Sequence, residues 1–372
     1  MRKLLALSAA ALLACGGAQA QGGAREIAFV ANAEDATVSL VDVASRAEVG
    51  RLDVNPDKAQ AAPRPTPNFA QDTDVSPDGR TLYVSRGYVG DVAAFDIATG
   101  KLLWRTVVDP ARADHMTISK DGRSLYVSAY TQNRTRRLDT ATGKITGEAP
   151  TGVSPHDNQL SRDGRRLFNS SIGAVGVPAN AAARTDGPSP YQLTIADARS
   201  MKVETQIPFE TGIRPWRLTP DETGLYAQLS NLHGLVAYDL KARKITQRLE
   251  LPVGPGVTSA DWVFEAPHHG LALSADGKVI CIAGRASDYA AIVQAPTLKL
   301  LAAVPVGDSP GWSELADNDR LCLTANTKSD DFSIISVAER KEVARLKLGD
   351  GPKHITVVRV PAAVLEAVMA RR

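Results

Sequence analysis

One hairpin segment, best preserved as Val75-Ser-Pro-Asp-Gly-Arg-Thr-Leu-Tyr-Val-Ser85, recurs in degraded copies along the 372 residues and constrains the fold more than any other feature. The proline presets φ at a turn position, the aspartate can bond nearby backbone, and the glycine tolerates positive φ. The Leu82-Tyr-Val-Ser85 stretch then reads as a short buried strand of β-forming side chains. Copies of the turn begin at Ser76, Ser119, Ser161, Thr219, Ser274 and Ala316, so successive spacings are 43, 42, 58, 55 and 42 residues. A basic period near 42 with four short strands per period is the signature of a β-propeller blade rather than of a helical solenoid.

Within a period the order is strand A, Asp-Gly turn, strand B, loop, strand C, second turn, strand D. Leu82-Tyr-Val-Ser85, Val92 to Ile97, Ala98-Thr-Gly-Lys101 and Leu102 to Val108 show it most cleanly, and Ala141-Thr-Gly-Lys144 repeats the second turn. Six turns give six blades. The stretches Ile27–Asn32, Thr37–Asp42 and Glu48–Asp53 read as strands B, C and D with no A before them, while His354–Val360 reads as an A strand with nothing after it. Joining the two ends predicts an all-β, seven-bladed propeller of four-stranded antiparallel blades over residues 26–361, with a short helical tail over 362–372. Closure leaves no blade edge open.

The N-terminus reads as an export leader. Met1-Arg-Lys3 is a basic n-region, Leu4 to Ala14 an apolar stretch, and Ala18-Gln-Ala20 a small-x-small cleavage site, giving a signal peptide over 1–20. The alternative is a lipoprotein signal, because Leu12-Leu-Ala-Cys15 resembles a lipobox and would leave a lipidated Cys15. No later stretch approaches about 20 uninterrupted apolar residues, so no transmembrane segment is expected in the mature chain. A periplasmic protein follows, lipid-anchored if Cys15 is used.

Removing the leader takes Arg2 and Lys3 from 43 basic residues, leaving 41 against 41 acidic ones. A formally neutral chain has no basic excess to drive phosphate-backbone binding, which argues against a nucleic-acid partner. Cys281 and Cys322 remain. Both occupy the tyrosine slot of neighbouring repeats, and equivalent sites on packed sheets lie roughly 10 Å apart, against the ~7 Å limit for a disulfide. Two buried free thiols are expected.

Leu82-Tyr-Val-Ser85, Leu125-Tyr-Val-Ser128, Ile27-Ala-Phe-Val-Ala-Asn32 and Leu321-Cys-Leu-Thr-Ala-Asn326 resemble the YVTN motif of YVTN-repeat β-propellers, a family of bacterial envelope and surface-layer-like proteins. The resemblance covers nearly all of the mature chain. It implies the propeller fold, and its relatives include binding proteins, lactonase-like enzymes and cofactor-carrying oxidoreductases, so it does not settle an activity.

Departures from the period locate the functional face. In an A-B-C-D meander the D–A and B–C loops share one face of the disc. The proline-rich D–A loop from Val54 to Ser76 is enlarged, the B–C connection from Leu167 to Asp197 spans 30 residues against 14 from Leu82 to Asp96, and Gly254 to Ser274 spans 20 against 9 from Gly307 to Ala316. A Gly/Ala/Pro-rich insertion around Gly173 to Ser189 accounts for the second. Long loops of this kind are more often lids or binding elements than idle chain.

The unusual side chains share that face. One slot at the entry to strand A holds Asp72, His115, Asp157, Pro215, Gly270, Trp312 and His354, and the preceding slot holds Gln71, Asp114, His156, Arg214, His269, Gly311 and Lys353. Since strand A lines the central channel, these form two layers around its mouth. Candidate ligand-binding residues are therefore Asp72, His115, His156, Asp157, Arg214, Trp216, His268, His269, Trp312 and His354. His115, Asp157 and His354 have the ligand types for a metal ion. The plainer alternative has the imidazoles fixing loops through backbone bonds and the tryptophans packing blades.

The chain has no Cys-x-x-Cys-His, Gly-x-Ser-x-Gly, His-Glu-x-x-His or glycine-rich phosphate loop. No cofactor is predicted, with a metal or small cofactor in the channel left open. The sequence reads as a monomeric, non-enzymatic binding or scaffolding module for an envelope protein or small-molecule ligand held at the channel mouth. The alternative is an enzyme or cofactor-binding propeller that uses the rim histidines and carboxylates.

Overall fold

The computed structural model describes residues 23–175 and 190–371. The leader, Cys15 and most of the Gly173 to Ser189 insertion lie outside the described residues. Seven four-stranded antiparallel sheets follow one another around a ring. In the first complete blade, Asp72–Val75, Thr81–Arg86, Asp91–Asp96 and Leu102–Val107 are strands A to D. The second blade starts at Ala113–Ile118, the third at Pro155–Leu160, the fourth at Ile213–Leu218, the fifth at Leu271–Leu273 and the sixth at Pro310–Ala316.

The seventh blade is built from both ends of the chain, in the order Pro352–Val360, Arg25–Asn32, Thr37–Asp42, Ala47–Asp53. Ile27 faces Val358 and Val30 faces Ile355 in its seam. Apolar side chains fill the spaces between sheets, so each blade is stabilised chiefly by its neighbours.

The opening hairpin has a local cause that repeats. Ser76 Oγ donates to Asp78 Oδ1 at 2.6 Å and accepts from the Thr81 N–H at 2.9 Å, while Gly79 takes φ +67°. The same serine or threonine to aspartate bond recurs at Ser119–Asp121, Ser161–Asp163, Thr219–Asp221 and Ser274–Asp276. Asn32 and Asn326, which close the YVTN-like stretches, donate to Ser39 and Ser333 on strand C at 2.9 and 2.8 Å. These asparagines tie strand B to strand C.

The tail is a helix, Ala362–Met369, whose Val364, Leu365 and Val368 are buried in the same apolar cluster as the seventh and first blades. It lies close on Gly50, where a Cβ would stand 2.2 Å from Val368 Cγ1.

The expectation of free thiols is overturned. Cys281 and Cys322 form a disulfide with Cα atoms 5.9 Å apart. The 10 Å figure is a mean spacing between packed sheets, whereas adjacent blades approach each other more closely towards the ring axis. Here small residues permit it: Ala272 and Ala290 lie beside Cys281, and Ser313 Oγ of the sixth blade donates to the Cys281 carbonyl at 3.0 Å.

Candidate functional site in the central channel

Strand-A entries converge on the axis because each blade presents its innermost strand there, and the ring brings together residues far apart in sequence. His115 stacks on Trp312 with centroids 4.9 Å apart, and lies 4.5 Å from the His156 ring and 5.4 Å from the His354 ring. The His156 and His269 rings are 5.2 Å apart, with their Nε2 atoms at 3.2 Å. Asp72 underlies the cluster. Its Oδ2 is 2.9 Å from His115 Nδ1 and accepts the Met116 N–H at 2.8 Å, and its Oδ1 is 2.9 Å from His354 Nδ1.

The electrostatics follow from this packing. Burial would raise the Asp72 carboxyl, but His354 and His115 outweigh it and hold the group well below the usual range. Burial would lower His115, and its bond to Asp72 raises it instead. His156 and His269 are pushed down by burial first, then by neighbouring cations, so both are neutral rings.

Towards the loop face the channel is cationic. A small cavity there is lined by Arg112, Arg214, Arg285, Lys353, His156 and His269. Arg112 pairs with Asp114 at 3.0 Å and lies over the Tyr130 ring at 4.1 Å. Arg214 donates to Ser230 Oγ at 2.9 Å and to the Phe264 carbonyl, and Lys353 Nζ donates to Gln71 Oε1 at 2.7 Å. Among the described residues no carboxylate pairs with Arg214, Arg285 or Lys353. Among the described residues the buried Nε atoms of Arg112 and Arg285 and His156 Nδ1 have no hydrogen-bond partner. Burial followed by the neighbouring guanidinium groups lowers Arg285 to about 10 and Lys353 to about 7. Burial lowers Arg214 to about 10.

The enlarged loops shape the vestibule above. Arg64, Pro65 and Pro67 from the proline-rich loop face Tyr88, Val263 and Phe264 around a cavity of about 450 Å³ that shares Arg285 and Lys353 with the one below. Asp57 anchors the proline-rich loop through Arg86 and Arg105, each at 2.6 Å. In the other loop Phe264 and Glu265 both take positive φ, 51° and 61°, and the Glu265 carbonyl accepts the Asn231 N–H at 2.9 Å. Consecutive residues held in that region are costly and need such anchoring.

Towards the turn face the channel is acidic. A cavity of about 540 Å³ is lined by Asp72, Asp74, Asp157, Glu314, Arg217 and His354. Burial and then Asp72 raise Asp74 to about 7. Burial also raises Asp157 and Glu314, which flank Arg217 at 3.4 and 3.6 Å. This larger cavity is reached past Lys120, Ser161 and Arg162 of the A–B turns, so the turn face is not blank as the loop lengths alone imply.

Of the residues singled out from sequence, Asp72, His115, His156, His269, Trp312 and His354 form one contact network, and Arg214 lines the mouth. Three go elsewhere. Trp216 is fully buried between blades against Phe168. His268 turns away to Tyr289 Oη at 2.8 Å and His233. Asp157 does not join His115 and His354: its Oδ2 points to Arg217 and the Trp216 N–H, and Asp72 takes the place assigned to it. The sequence reading missed Arg112, Arg285, Tyr130 and Phe264. Arg112 and Arg285 stand in loops outside the aligned slots, and the one available signal was the presence of both Arg214 and Lys353 in the slot that precedes the strand-A entry.

These features define a seven-bladed propeller with a buried histidine-rich hub and a channel polarised from cationic to acidic. Residues 34–180 match the family model described as outer membrane protein assembly factor BamB, a PQQ_2 propeller family. Among solved structures the chain is similar to hydrazine synthase of Kuenenia stuttgartiensis, with a TM-score of 0.66 at 20% identity over 83% of this chain and 92% of that one. That likeness is one of fold. A comparison with curated proteins returns no match. Among the described residues no helix is long and apolar enough to cross a membrane.

Proposed function

We propose that this chain is an exported, non-enzymatic envelope propeller that holds a small organic anion at the loop-face mouth of its channel. The observation that carries the reading is the convergence of Arg214, Arg285 and Lys353 on one buried cavity with no ion-paired carboxylate among the described residues, Glu34 lying further out in the vestibule. Leaving like charges desolvated and adjacent is costly unless a counter-charge visits. The vestibule adds apolar walls from Pro65, Pro67, Tyr88, Val263 and Phe264, which suits a ligand with an anionic head and an apolar body. Export is supported by the leader sequence, by the disulfide and by the BamB-like match over residues 34–180.

The test uses sulfate and succinate as probes, each titrated by calorimetry against the mature protein. Binding that weakens at least tenfold in an Arg285→Met/Lys353→Met double variant supports the site. Equal binding by that variant and the parent, or no binding to either, overturns it. N-terminal sequencing after expression distinguishes a mature start at Gln21 from a lipidated Cys15.

A further inference from the structure

We infer that His115, His156 and His269 form a three-histidine site for a divalent transition-metal ion of the zinc type. The three come from the strand-A entries of the second, third and fifth blades, so only the closed ring assembles them. All are buried, and one ring nitrogen from each lies within 4.8 Å of the others. Zinc–imidazole bonds of about 2.0–2.1 Å in a tetrahedral arrangement place ligand nitrogens about 3.4 Å apart. The His156 and His269 Nε2 atoms already stand at 3.2 Å.

The second ring nitrogens supply an independent argument. His269 Nδ1 lies 2.9 Å from the Gly311 carbonyl, which can only accept, so Nδ1 carries the proton and Nε2 presents a lone pair. His115 Nδ1 faces Asp72 Oδ2 at 2.9 Å, so its proton too is held on the outer nitrogen and Nε2 is the atom turned to the other two rings, while His156 Nδ1 has no partner among the described residues. Metal-binding imidazoles are held this way, with the outer N–H given to a carboxylate or carbonyl and the inner nitrogen free. Without an ion the inner nitrogens are poorly served. A proton on His156 Nε2 satisfies His269 alone, and His115 Nε2 has the Gln71 amide at 3.4 Å and Asp114 Oδ1 at 3.7 Å, both beyond ordinary hydrogen-bond length.

Asp72, His115 and His354 are also close enough to share an ion. That set uses the atoms that already bond one another, and Asp72 Oδ2 accepts the Met116 N–H besides. Asp72 is therefore assigned as the group that orients His115. With three neutral nitrogen ligands the fourth position is open, as in sites where water or a ligand completes the shell. It adjoins the cavity where His156 meets Arg112 and Arg214. The site rests on the histidine geometry and not on the anion reading, since the ion could bind with the mouth empty.

The experiment uses full-length mature protein without an affinity tag, stripped with a chelator and titrated with Zn²⁺ and with Co²⁺. One ion per chain is expected, with a Co²⁺ absorption spectrum of tetrahedral intensity. His156→Gln and His269→Gln should each weaken binding by more than about 100-fold, beyond the effect of losing an outer partner. His354→Gln and His268→Gln should stay within about tenfold of the parent. If the glutamine variants do not fold, nitrogen hyperfine splitting from Cu²⁺ bound to the parent still counts the imidazoles. Absence of binding to the stripped parent, unaltered binding in His156→Gln and His269→Gln, fewer than three nitrogen ligands, or loss in His354→Gln alone would each overturn the assignment.

Discussion

Asp72 Oδ2 and His115 Nδ1 stand 2.9 Å apart, both buried, and join the first blade to the second at the hub of the ring. Forty-three residues separate them, one blade period, so the contact is specified by the repeat itself. Because Asp72 also serves His354 and the Met116 N–H, Asp72→Asn leaves buried donors without a charged acceptor. The expected cost is about 3 kcal/mol in denaturant unfolding. Asp78→Asn on an outer turn should cost less than about 1 kcal/mol.

The disulfide closes a span of 41 residues between the fifth and sixth blades. Cys281→Ser/Cys322→Ser should lower stability by about 3–4 kcal/mol in urea, by the loop-closure argument. Denatured, unreduced mature protein should take up no thiol reagent. Uptake of two equivalents would refute the bond.

Lys353 is depressed to about 7 by burial and by the Arg112 and Arg285 charges. Its unfolded value is near 10.4. Between those limits the unfolded chain holds more protons, so this residue makes stability rise as pH increases from about 7 to about 10. A Lys353→Met variant should lose that slope. Anion binding runs the other way, since a bound anion favours the protonated amine. Affinity for succinate should fall as pH rises through about 7 in the parent and change less in the variant.

Gly50 has no room for a side chain beneath the C-terminal helix. Gly50→Ala must displace Val368 and should cost about 1–3 kcal/mol. Ending the chain after Pro361 exposes the Gly50 surface and removes three buried apolar side chains, and should lower the melting temperature by several degrees. Once the helix is gone, Gly50→Ala should have little further effect.

The ring was legible because its determinants are local and repeated. A Ser-x-Asp-Gly turn fixes its own geometry, so its copies mark blade phase, and phase alone placed Asp72, His115, Trp312 and His354 around one axis. Direction within a slot was not legible. Asp72 and Asp157 occupy equivalent positions, yet Arg217 draws Asp157 towards the fourth blade while the histidines hold Asp72 at the hub. Arg285 has no slot at all, since it follows strand Val279–Gly284 in a B–C loop and reaches the mouth only through the fold. The cysteines failed for a related reason. A mean sheet spacing carries no information about the small residues that bring two particular strands together.

The blade shared between the chain's two ends bears on synthesis. Strand Arg25–Asn32 is made more than 300 residues before its partner Pro352–Val360. Until that partner is made, the strand can pair with Thr37–Asp42 on one side only, and its other edge, carrying Ile27, Phe29 and Val30, is of the kind that recruits foreign strands. A ribosome that stalls before Pro352 releases a product that cannot close. Such fragments should depend on holdase chaperones far more than the finished protein does.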